Sequence, residues 1–234
     1  MIKKRVLITG VSSGVGFALA ESLLAKGWLV TGLARRATQC FQPHDDFSPV
    51  DVDLAELDQL TGCLPDLKKL DFDAVVCCAG FGRFGCIEEF SLAQIQQLMD
   101  VNFTSHAWLL RHLVPQMKRA GQGDIVIIGS ESALSGGKKG AIYCASKFAL
   151  RGFAQALRDE CSRNGLRVSL INPGMVDTAF FDQLDFTPGK DPENAILAEN
   201  VVSSIQMVLD MPANTVVDEI NLSPLKKVVA PRKK

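Results

Sequence analysis

The 234-residue sequence lacks the features that mark several classes of protein. It contains no run of about 18 apolar residues, so a membrane-spanning helix is excluded. Charge of neither sign is in excess, because 25 Lys and Arg residues stand against 26 Asp and Glu residues. This balance argues against broad non-specific binding to nucleic acid. A hydrophobic content of 47% with 22% charged residues is ordinary for a globular protein and excludes intrinsic disorder.

The seven cysteines are odd in number and lack the spacing of a disulfide framework. We therefore expect a reducing, cytoplasmic location in which most of these side chains are small buried groups. The first residues, MIKKRVLITG, contain no long apolar stretch and no small-residue cleavage site, so we expect a strand there and not a signal peptide. Long Pro/Gly linkers are also missing, which favours a single domain over residues 1–234.

Short apolar runs alternate with longer amphipathic segments along the chain. Seven runs are predicted to be strands: Arg5–Thr9, Trp28–Ala34, Ser48–Val52, Asp73–Cys78, Asp124–Gly129, Leu166–Ile171 and Thr215–Leu222. Four segments are predicted to be helices: Phe17–Lys26, Ser91–Ala120, Ala141–Asn164 and Ala198–Met211. Strands that are separated by helical crossovers form parallel sheets. The pattern predicts a doubly wound α/β domain of the Rossmann type, with a seven-stranded parallel sheet and helices on both faces.

Two segments near the C-terminus are less regular. Residues 177–197 form a predicted substrate-loop region, whose part Asp177–Pro192 carries Phe180, Phe181 and Phe186. This loop is either a lid or an ordinary loop docked on the core. Residues 226–234 form a basic tail, for which we expect disorder, with contact to an anionic surface as the alternative.

A glycine-rich turn joins the first predicted strand to the first helix. A helix N-terminus presents free backbone N–H groups, and glycines allow a phosphate to approach them closely. The turn therefore predicts a pyrophosphate site, with a plain tight turn as the alternative. The candidate residues are Gly10, Ser12, Ser13, Gly14, Val15 and Gly16.

The end of the second strand indicates which dinucleotide would bind. Sites for NAD place an acidic residue roughly 20 positions beyond the glycines, where it binds the ribose 2′-hydroxyl. No acidic residue occurs between Glu21 and Asp45, and the strand ends instead in Arg35 and Arg36. Guanidinium groups pair with a 2′-phosphate, so we expect NADP(H), with a solvated arginine pair as the alternative.

Tyr143 is the single tyrosine, and Lys147 follows it four residues later. On a helix these two side chains share a face. A neighbouring ammonium stabilises a phenolate, which predicts a lowered Tyr143 pKa and a role in proton transfer. The alternative is an exposed tyrosine beside an unrelated lysine.

The sequence resembles the standard, shorter branch of the short-chain dehydrogenase/reductase superfamily over nearly its whole length. The resemblance rests on motifs in the right order: Gly10-x-x-x-Gly14-x-Gly16, Asn102, Ser130 placed 13 residues before Tyr143, and Tyr143-x-x-x-Lys147. It implies that Asn102, Ser130, Tyr143 and Lys147 are catalytic. Ser132 is the rival to Ser130.

The resemblance also implies further cofactor contacts, including Tyr143 and Lys147 themselves. These contacts are Asp53, Leu54, Cys78, Ala79, Gly80, Pro173, Gly174, Val176 and Thr178. One position departs from the family, which usually has Asn-Asn-Ala-Gly where this chain has Cys77-Cys78-Ala79-Gly80. A thiol is a weaker hydrogen-bond partner than an amide, which puts local rigidity in question. Cys77 and Cys78 are either redox-sensitive or simply buried.

The function implied is NADP-dependent hydride transfer between nicotinamide and a carbonyl or alcohol. The alternative is a non-catalytic NADP(H)-sensing protein of the same fold. Aromatic residues such as Phe84 and Phe180 favour an apolar substrate, whereas Arg83, Lys138 or Lys139 would suit a carboxylate. The family also implies a homodimer or homotetramer through the helices predicted at Ser91–Ala120 and Ala141–Asn164. We expect no metal, nucleic-acid or membrane partner.

Overall fold

The computed structural model describes residues 3–232. Its strands are β1 Arg5–Thr9, β2 Leu29–Ala34, β3 Phe47–Asp51, β4 Ala74–Cys77, β5 Gly123–Ile128, β6 Leu166–Pro173, β7 Phe186–Pro188, β8 Glu219–Leu222 and β9 Val229–Pro231. Seven of them form one sheet in the order β3-β2-β1-β4-β5-β6-β8, and every pair in it is parallel. The predicted seven-stranded parallel sheet is therefore confirmed.

Helices cover both faces of this sheet. Successive side chains along each strand point to opposite sides, so each strand packs against helices on both faces. The helices are α1 Gly14–Ala25, α2 Leu57–Leu67, α3 Leu92–Met99, α4 Ser105–Ala120, α5 Ala141–Ser162 and α6 Ala198–Leu209. Leu7 of β1 packs in the core on the side of α2, α4 and α5. Its neighbours Val6 and Ile8 pack on the side of α1 and α6. The strands are apolar on both faces because both faces are buried.

Two helical predictions need correction. The sequence prediction missed α2, although leucines at 57, 60, 64 and 67 follow the helical period, because Gly62 and Pro65 interrupt the segment. The single helix predicted over Ser91–Ala120 is divided into α3 and α4 by a wide π-helical turn, Asp100–Thr104. Such turns often occur at functional sites, and this one carries Asn102.

The expectation of a disordered tail is wrong for residues 226–232. Strand β9 pairs antiparallel with β7, which satisfies its backbone hydrogen bonds. Three basic side chains of the segment also form ion pairs: Lys226 with Glu193, Lys227 with Glu131 and Arg232 with Asp182. Lys233 and Lys234 lie outside the described residues.

The carboxyl ends of the central strands bring the candidate residues to one edge of the sheet. Gly10 follows β1, Cys78 follows β4, Ser130 lies just beyond β5, and Pro173 ends β6. Ligands of open α/β sheets bind in the crevice at this edge. Among residues 3–232, no helix has the length and apolar character needed to span a membrane.

Candidate active site

The glycine turn forms a cradle at the start of α1. Gly10 has a φ of +79°, a left-handed conformation that glycine adopts without strain. A Cβ atom on Gly16 would overlap the carbonyl oxygen of Gly10, so only glycine fits there. Ser13 precedes the helix in an extended conformation, and its side chain does not cap it. The first N–H groups of α1 therefore remain available to an anion, and no acidic residue lies in the first turn.

The opposite wall of the cleft is the segment from Pro173 to Thr178. Gly174 is anchored by its N–H, which donates to the Leu222 carbonyl oxygen at 2.7 Å. Val176 forms an isolated parallel bridge with Ile196. A Cβ atom placed on Gly14 would lie 3.4 Å from Thr178 Cγ2, so Thr178 faces the glycine turn across the cleft.

Arg35 and Arg36 are exposed at the end of β2. Neither forms an ion pair with a carboxylate among residues 3–232. The carboxylate next to this strand end is Asp51, which lies in register with Ala34. It accepts hydrogen bonds from Thr38 N at 2.9 Å and Thr38 Oγ1 at 2.7 Å, and these bonds lower its pKa. Asp51 is therefore already engaged, whereas both guanidinium groups are available.

Asp53 and Leu54 follow β3 on the same side of the domain. Asp53 Oδ1 accepts the Ala55 N–H at 3.0 Å, and the Asp53 N–H donates to Gln59 Oε1 at 3.1 Å. Leu54 is buried in the core beneath it. These bonds fix the turn that precedes α2.

The four side chains with predicted catalytic roles lie in one buried cluster. Asn102, Ser130, Tyr143 and Lys147 have relative exposures of 0%, 8%, 6% and 5%. The Ser130 side chain lies near enough to the Tyr143 phenol to lower its pKa. A Cβ atom on Gly80 would lie 3.2 Å from Asn102 Oδ1 and 3.5 Å from Lys147 Nζ, so both side chains flank Gly80.

The prediction that the pKa of Tyr143 lies below its ordinary value is wrong. Burial is the largest influence and raises the pKa of Tyr143 to about 12, although the neighbouring Ser130 side chain lowers it in part. Lys147 Nζ lies 5.9 Å from the centroid of the Tyr143 ring and donates to the Ile128 carbonyl oxygen at 3.2 Å. Its charge does not offset the cost of burying a phenolate.

This raised pKa leads to a direct optical prediction. An ordinary tyrosine is half ionised near pH ~10, whereas Tyr143 should show almost no phenolate absorbance there. Because Tyr143 is the single tyrosine, the titration has no other contributor. Half-ionisation of the native protein at or below pH 10 would show that Lys147 outweighs burial.

Lys147 offers hydrogen bonds that a sugar could accept. An ammonium has three donors, and the Ile128 carbonyl oxygen accepts one of them among residues 3–232. Burial lowers the pKa of Lys147 to about 8, so the group is charged at neutral pH. Its position beside Gly80 fits a ribose hydroxyl, and the helix cradle fits a pyrophosphate. The described residues thus suit a nicotinamide dinucleotide.

Asn102 ties three elements together through its side chain. Its Oδ1 accepts the Phe81 N–H at 3.0 Å, while Nδ2 donates to the Phe81 carbonyl oxygen at 3.0 Å and to Ser146 Oγ at 3.1 Å. Ser146 Oγ in turn donates to the Tyr143 carbonyl oxygen at 2.7 Å. The wide turn at Asp100–Thr104 thus connects the loop after β4 with the helix that carries Tyr143 and Lys147.

A model of the short chain dehydrogenase family matches residues 4–187 of the chain. The chain belongs to this family. It is an oxidoreductase by that membership, and similar solved structures contain NADH or NADP.

Relatives named as oxidoreductases or dehydrogenases support the assignment to the family. YbbO, an uncharacterized oxidoreductase of Escherichia coli K12, is 31% identical over 224 residues, which are 94% of this chain and 83% of YbbO. Estradiol 17-beta-dehydrogenase 1 of Rattus norvegicus is 32% identical over 207 residues, which are 81% of this chain but 59% of that protein. An alcohol dehydrogenase of Thermococcus sibiricus, solved with 5-hydroxy-NADP, has the same fold, with a TM-score of 0.84, 24% identity, and coverage of 97% and 99% of the two chains.

The cysteine pair that departs from the usual short-chain dehydrogenase motif has thiols with raised pKa values. Cys77 is fully buried, and burial raises its thiol pKa strongly. Burial also raises the pKa of Cys78 to about 12, although the charge of Lys147 opposes this shift. Thiolates are the reactive form of cysteine, so the geometry favours two structural thiols over a redox pair. The Cys78 and Ala79 N–H groups both donate to Thr9 Oγ1 at 3.0 Å.

His106 is a buried neighbour of this site that the sequence reasoning missed. Its Nε2 lies 3.3 Å from Thr9 Oγ1. Because Thr9 Oγ1 already accepts two backbone N–H groups, its own proton must go to His106 Nε2. Because Nε2 accepts this proton, the proton of the neutral ring is on Nδ1. Nδ1 has no hydrogen-bond partner among residues 3–232. No sequence pattern predicts a role for this histidine, because its side chain meets Thr9 only when β1 and α4 pack together.

Acid should destabilise the protein through His106. Burial first, and the charge of Lys147 second, lower its pKa from 6.5 to about 3. Between these values the unfolded chain binds the extra proton, so stability falls as the pH drops below 6.5. Protonation of His106 should lower the free energy of unfolding by about 3 kcal/mol between pH 7 and pH 4.

The measurement is the urea unfolding free energy at pH 7 and pH 4. His106→Gln keeps an acceptor for Thr9 but does not titrate, so it should lose less stability between the two pH values than the wild type. The control is His44→Gln, which changes an exposed histidine. An identical acid loss in wild type and His106→Gln would contradict the assignment.

Proposed function

We propose that this protein is an NADP-dependent reductase of ketones or aldehydes. The observation that carries the proposal is the buried Ser130–Tyr143–Lys147 cluster beside the glycine cradle of α1. When bound, NADPH supplies the hydride that reduces a carbonyl carbon. The reaction consumes the carbonyl compound, NADPH and one proton, and it yields the alcohol and NADP⁺.

Tyr143 acts as the general acid in this proposal. With a pKa of about 12 it is protonated at neutral pH, which is the state that reduction requires. An alkoxide is a much stronger base than a phenolate, so proton donation to it is downhill. Ser130 orients the same oxygen through its hydroxyl, and Lys147 holds the ribose with its uncommitted donors. Asn102 holds the Phe81 backbone and the Tyr143 helix in place and positions a water of the proton relay.

NADP(H) is proposed over NAD(H) because of the charges at the end of β2. Arg35 and Arg36 are exposed and without ion-pair partners among residues 3–232. Asp51, the carboxylate in register with that strand end, is bonded to Thr38. The remaining proposed contacts are Ser12, Ser13, Gly14 and Val15 with the pyrophosphate, Asp53 and Leu54 with the adenine, and Cys78, Ala79, Gly80, Pro173, Gly174, Val176 and Thr178 along the cleft.

An apolar substrate suits the side chains near Tyr143. The ring centroids of Phe84 and Phe180 lie 5.0 Å and 6.0 Å from that of Tyr143. Of the candidate partners for a carboxylate, Lys138 and Lys139 are exposed and Arg83 is half-buried. The rat relative is named for estradiol, which is an apolar alcohol. This comparison favours an apolar carbonyl over a carboxylate-bearing substrate.

A carbonyl panel tests the proposed function. Purified protein is mixed with NADPH, and separately with NADH, and with aldehydes, ketones and 2-oxo acids, and cofactor oxidation is followed by absorbance. We expect turnover of at least one apolar ketone or aldehyde, faster with NADPH. Tight NADPH binding without turnover of any compound would favour the sensing alternative.

We also propose a dimer or tetramer that forms through α4 and α5. The leucines that led to this prediction, such as Leu109 and Leu110, are buried within the protomer and do not support it. Phe148 of α5, however, is 43% exposed. Sedimentation at micromolar concentration should show an oligomer, and Phe148→Asp should weaken it. A wild-type monomer under these conditions would overturn the proposal.

A further inference from the structure

An aromatic lid covers Tyr143. We use this name for residues 179–188, which carry Phe180, Phe181 and Phe186. The ring centroid of Phe180 lies 6.0 Å from that of Tyr143, and the ring of Phe84, from the loop after β4, lies 5.0 Å from it. Phe186 packs edge-on against Phe84 at 5.0 Å and thereby connects the lid to that loop. Tyr143 is only 6% exposed, so a substrate has to displace some of the side chains packed around it to reach its phenol.

Gly82 allows this close packing. A Cβ atom at Gly82 would lie 2.6 Å from Phe180 Cζ and 2.9 Å from Phe84 Cε2. The bare backbone of Gly82 thus lets both rings pack closely against it. One ring comes from the loop after β4 and the other from the lid.

The C-terminal segment holds the lid in this position. We call residues 226–232 the C-terminal clasp. In addition to the pairing of β9 with β7, the Arg232 N–H donates to the Asp185 carbonyl oxygen at 2.9 Å, and the Gly189 N–H donates to the Val228 carbonyl oxygen at 3.0 Å. The clasp lies beyond residue 187, where the match to the family model ends.

Side chains of the clasp form two further contacts, one with the lid and one with the turn after β5. The Arg232 guanidinium donates to Asp182 Oδ1 at 3.1 Å and also to the Phe181 carbonyl oxygen. Lys227 pairs with Glu131 at 2.7 Å, and Glu131 directly follows Ser130. The clasp therefore joins the lid to the turn that carries Ser130.

We propose that this site selects apolar carbonyl compounds with a flat ring near the carbonyl, and that the C-terminal clasp sets the selectivity by holding Phe180 over Tyr143. The inference rests on the proposed reductase function and names its substrate class. Opening the lid breaks the contacts of Phe180 with Tyr143 and exposes apolar surface. A flat ring restores those contacts in the opened site, whereas a small aliphatic ketone restores few of them.

The test compares methyl ketones that share the reacting group. The naphthyl ketone 2-acetylnaphthalene carries a flat ring, and 3-methyl-2-butanone carries only an isopropyl group. The selectivity is the ratio of their kcat/KM values with NADPH. It is measured for the wild type, for Phe180→Leu, which removes the ring but keeps an apolar side chain, and for Arg232→Gln, which removes the guanidinium group that contacts the lid.

We expect the wild type to prefer the naphthyl ketone by at least about 10-fold. A ring contact corresponds to roughly 2- to 10-fold in binding, so Phe180→Leu should lower the ratio by about that factor. Arg232→Gln should also lower it, chiefly through the KM of the naphthyl ketone. The matched control is Arg163→Gln, which removes an exposed guanidinium at the far end of α5 and should keep the wild-type ratio.

Hydrogen exchange measures the clasp without any turnover. Arg232→Gln should speed amide exchange in residues 179–188 and leave strands β1 and β4 unchanged, whereas Arg163→Gln should change neither region. Unchanged exchange of the lid in Arg232→Gln would overturn the role of the clasp. A wild-type preference for the isopropyl ketone, or an unchanged ratio in Phe180→Leu, would overturn the substrate class. Failure to reduce any carbonyl compound would instead overturn the reductase function itself.

Discussion

Tyr143→Phe is expected to lower turnover of an accepted carbonyl by about 10²- to 10⁴-fold, the usual cost of losing a general acid. The substitution removes one oxygen and keeps the ring that packs against Phe84 and Phe180. Because no other tyrosine exists in the chain, no neighbouring phenol can replace it. NADPH affinity should change little, since the ribose contact is assigned to Lys147. The measurements are single-turnover reduction and a binding titration on the same preparation.

A matched serine pair accompanies this test. The Ser130 side chain lies near the Tyr143 phenol and lowers its pKa, whereas Ser132 donates its backbone N–H to Ser130 Oγ at 3.1 Å. Ser130→Ala should therefore lower turnover strongly, and Ser132→Ala should leave it close to the wild type.

Lys147→Met should weaken both NADPH binding and turnover, since it removes the ribose donors and the charge together. Wild-type turnover in Tyr143→Phe would show that the mechanism is wrong.

The sheet could be predicted from the sequence because its strands repeat a strong local signal. Runs such as RVLIT and DIVIIG are apolar on both faces, and only a sheet covered on both sides buries them. Helix α2 carries a weaker signal, since Gly62 and Pro65 lower its helix propensity and only its leucine spacing reports the buried face. The clasp could not be predicted, because Val229–Pro231 becomes a strand only when β7 provides a partner.

Some features of the candidate site could likewise be predicted from the sequence, and others could not. Tyr143 and Lys147 could be placed together because four residues on one helix fix their relative position. The Tyr143 pKa could not be obtained from that spacing, since it depends on the rings from distant segments that exclude water. Likewise, the links from Thr9 to Cys78 and His106 join residues 69 and 97 positions apart. Such contacts follow from packing, and packing has no short-range signature.

The wild-type protein is expected to bind NADPH more tightly than NADH by roughly 10- to 150-fold. This range corresponds to a charge-assisted contact of about 1.5–3 kcal/mol with the 2′-phosphate. The expected donors are Arg35 and Arg36, which are exposed at the end of β2. The double variant Arg35→Ala/Arg36→Ala should lose most of the difference, mainly through weaker NADPH binding, while its NADH affinity stays nearly constant.

Salt provides an independent test of the same contact. Because both guanidinium groups are exposed, raising ionic strength should weaken NADPH binding more than NADH binding in the wild type. In the double variant the two cofactors should respond to salt more alike. Arg163→Ala, which removes an exposed guanidinium at the far end of α5, should behave as the wild type does. Equal dissociation constants for the two cofactors in the wild type would exclude Arg35 and Arg36 as a 2′-phosphate site, because their charges would then discriminate nothing.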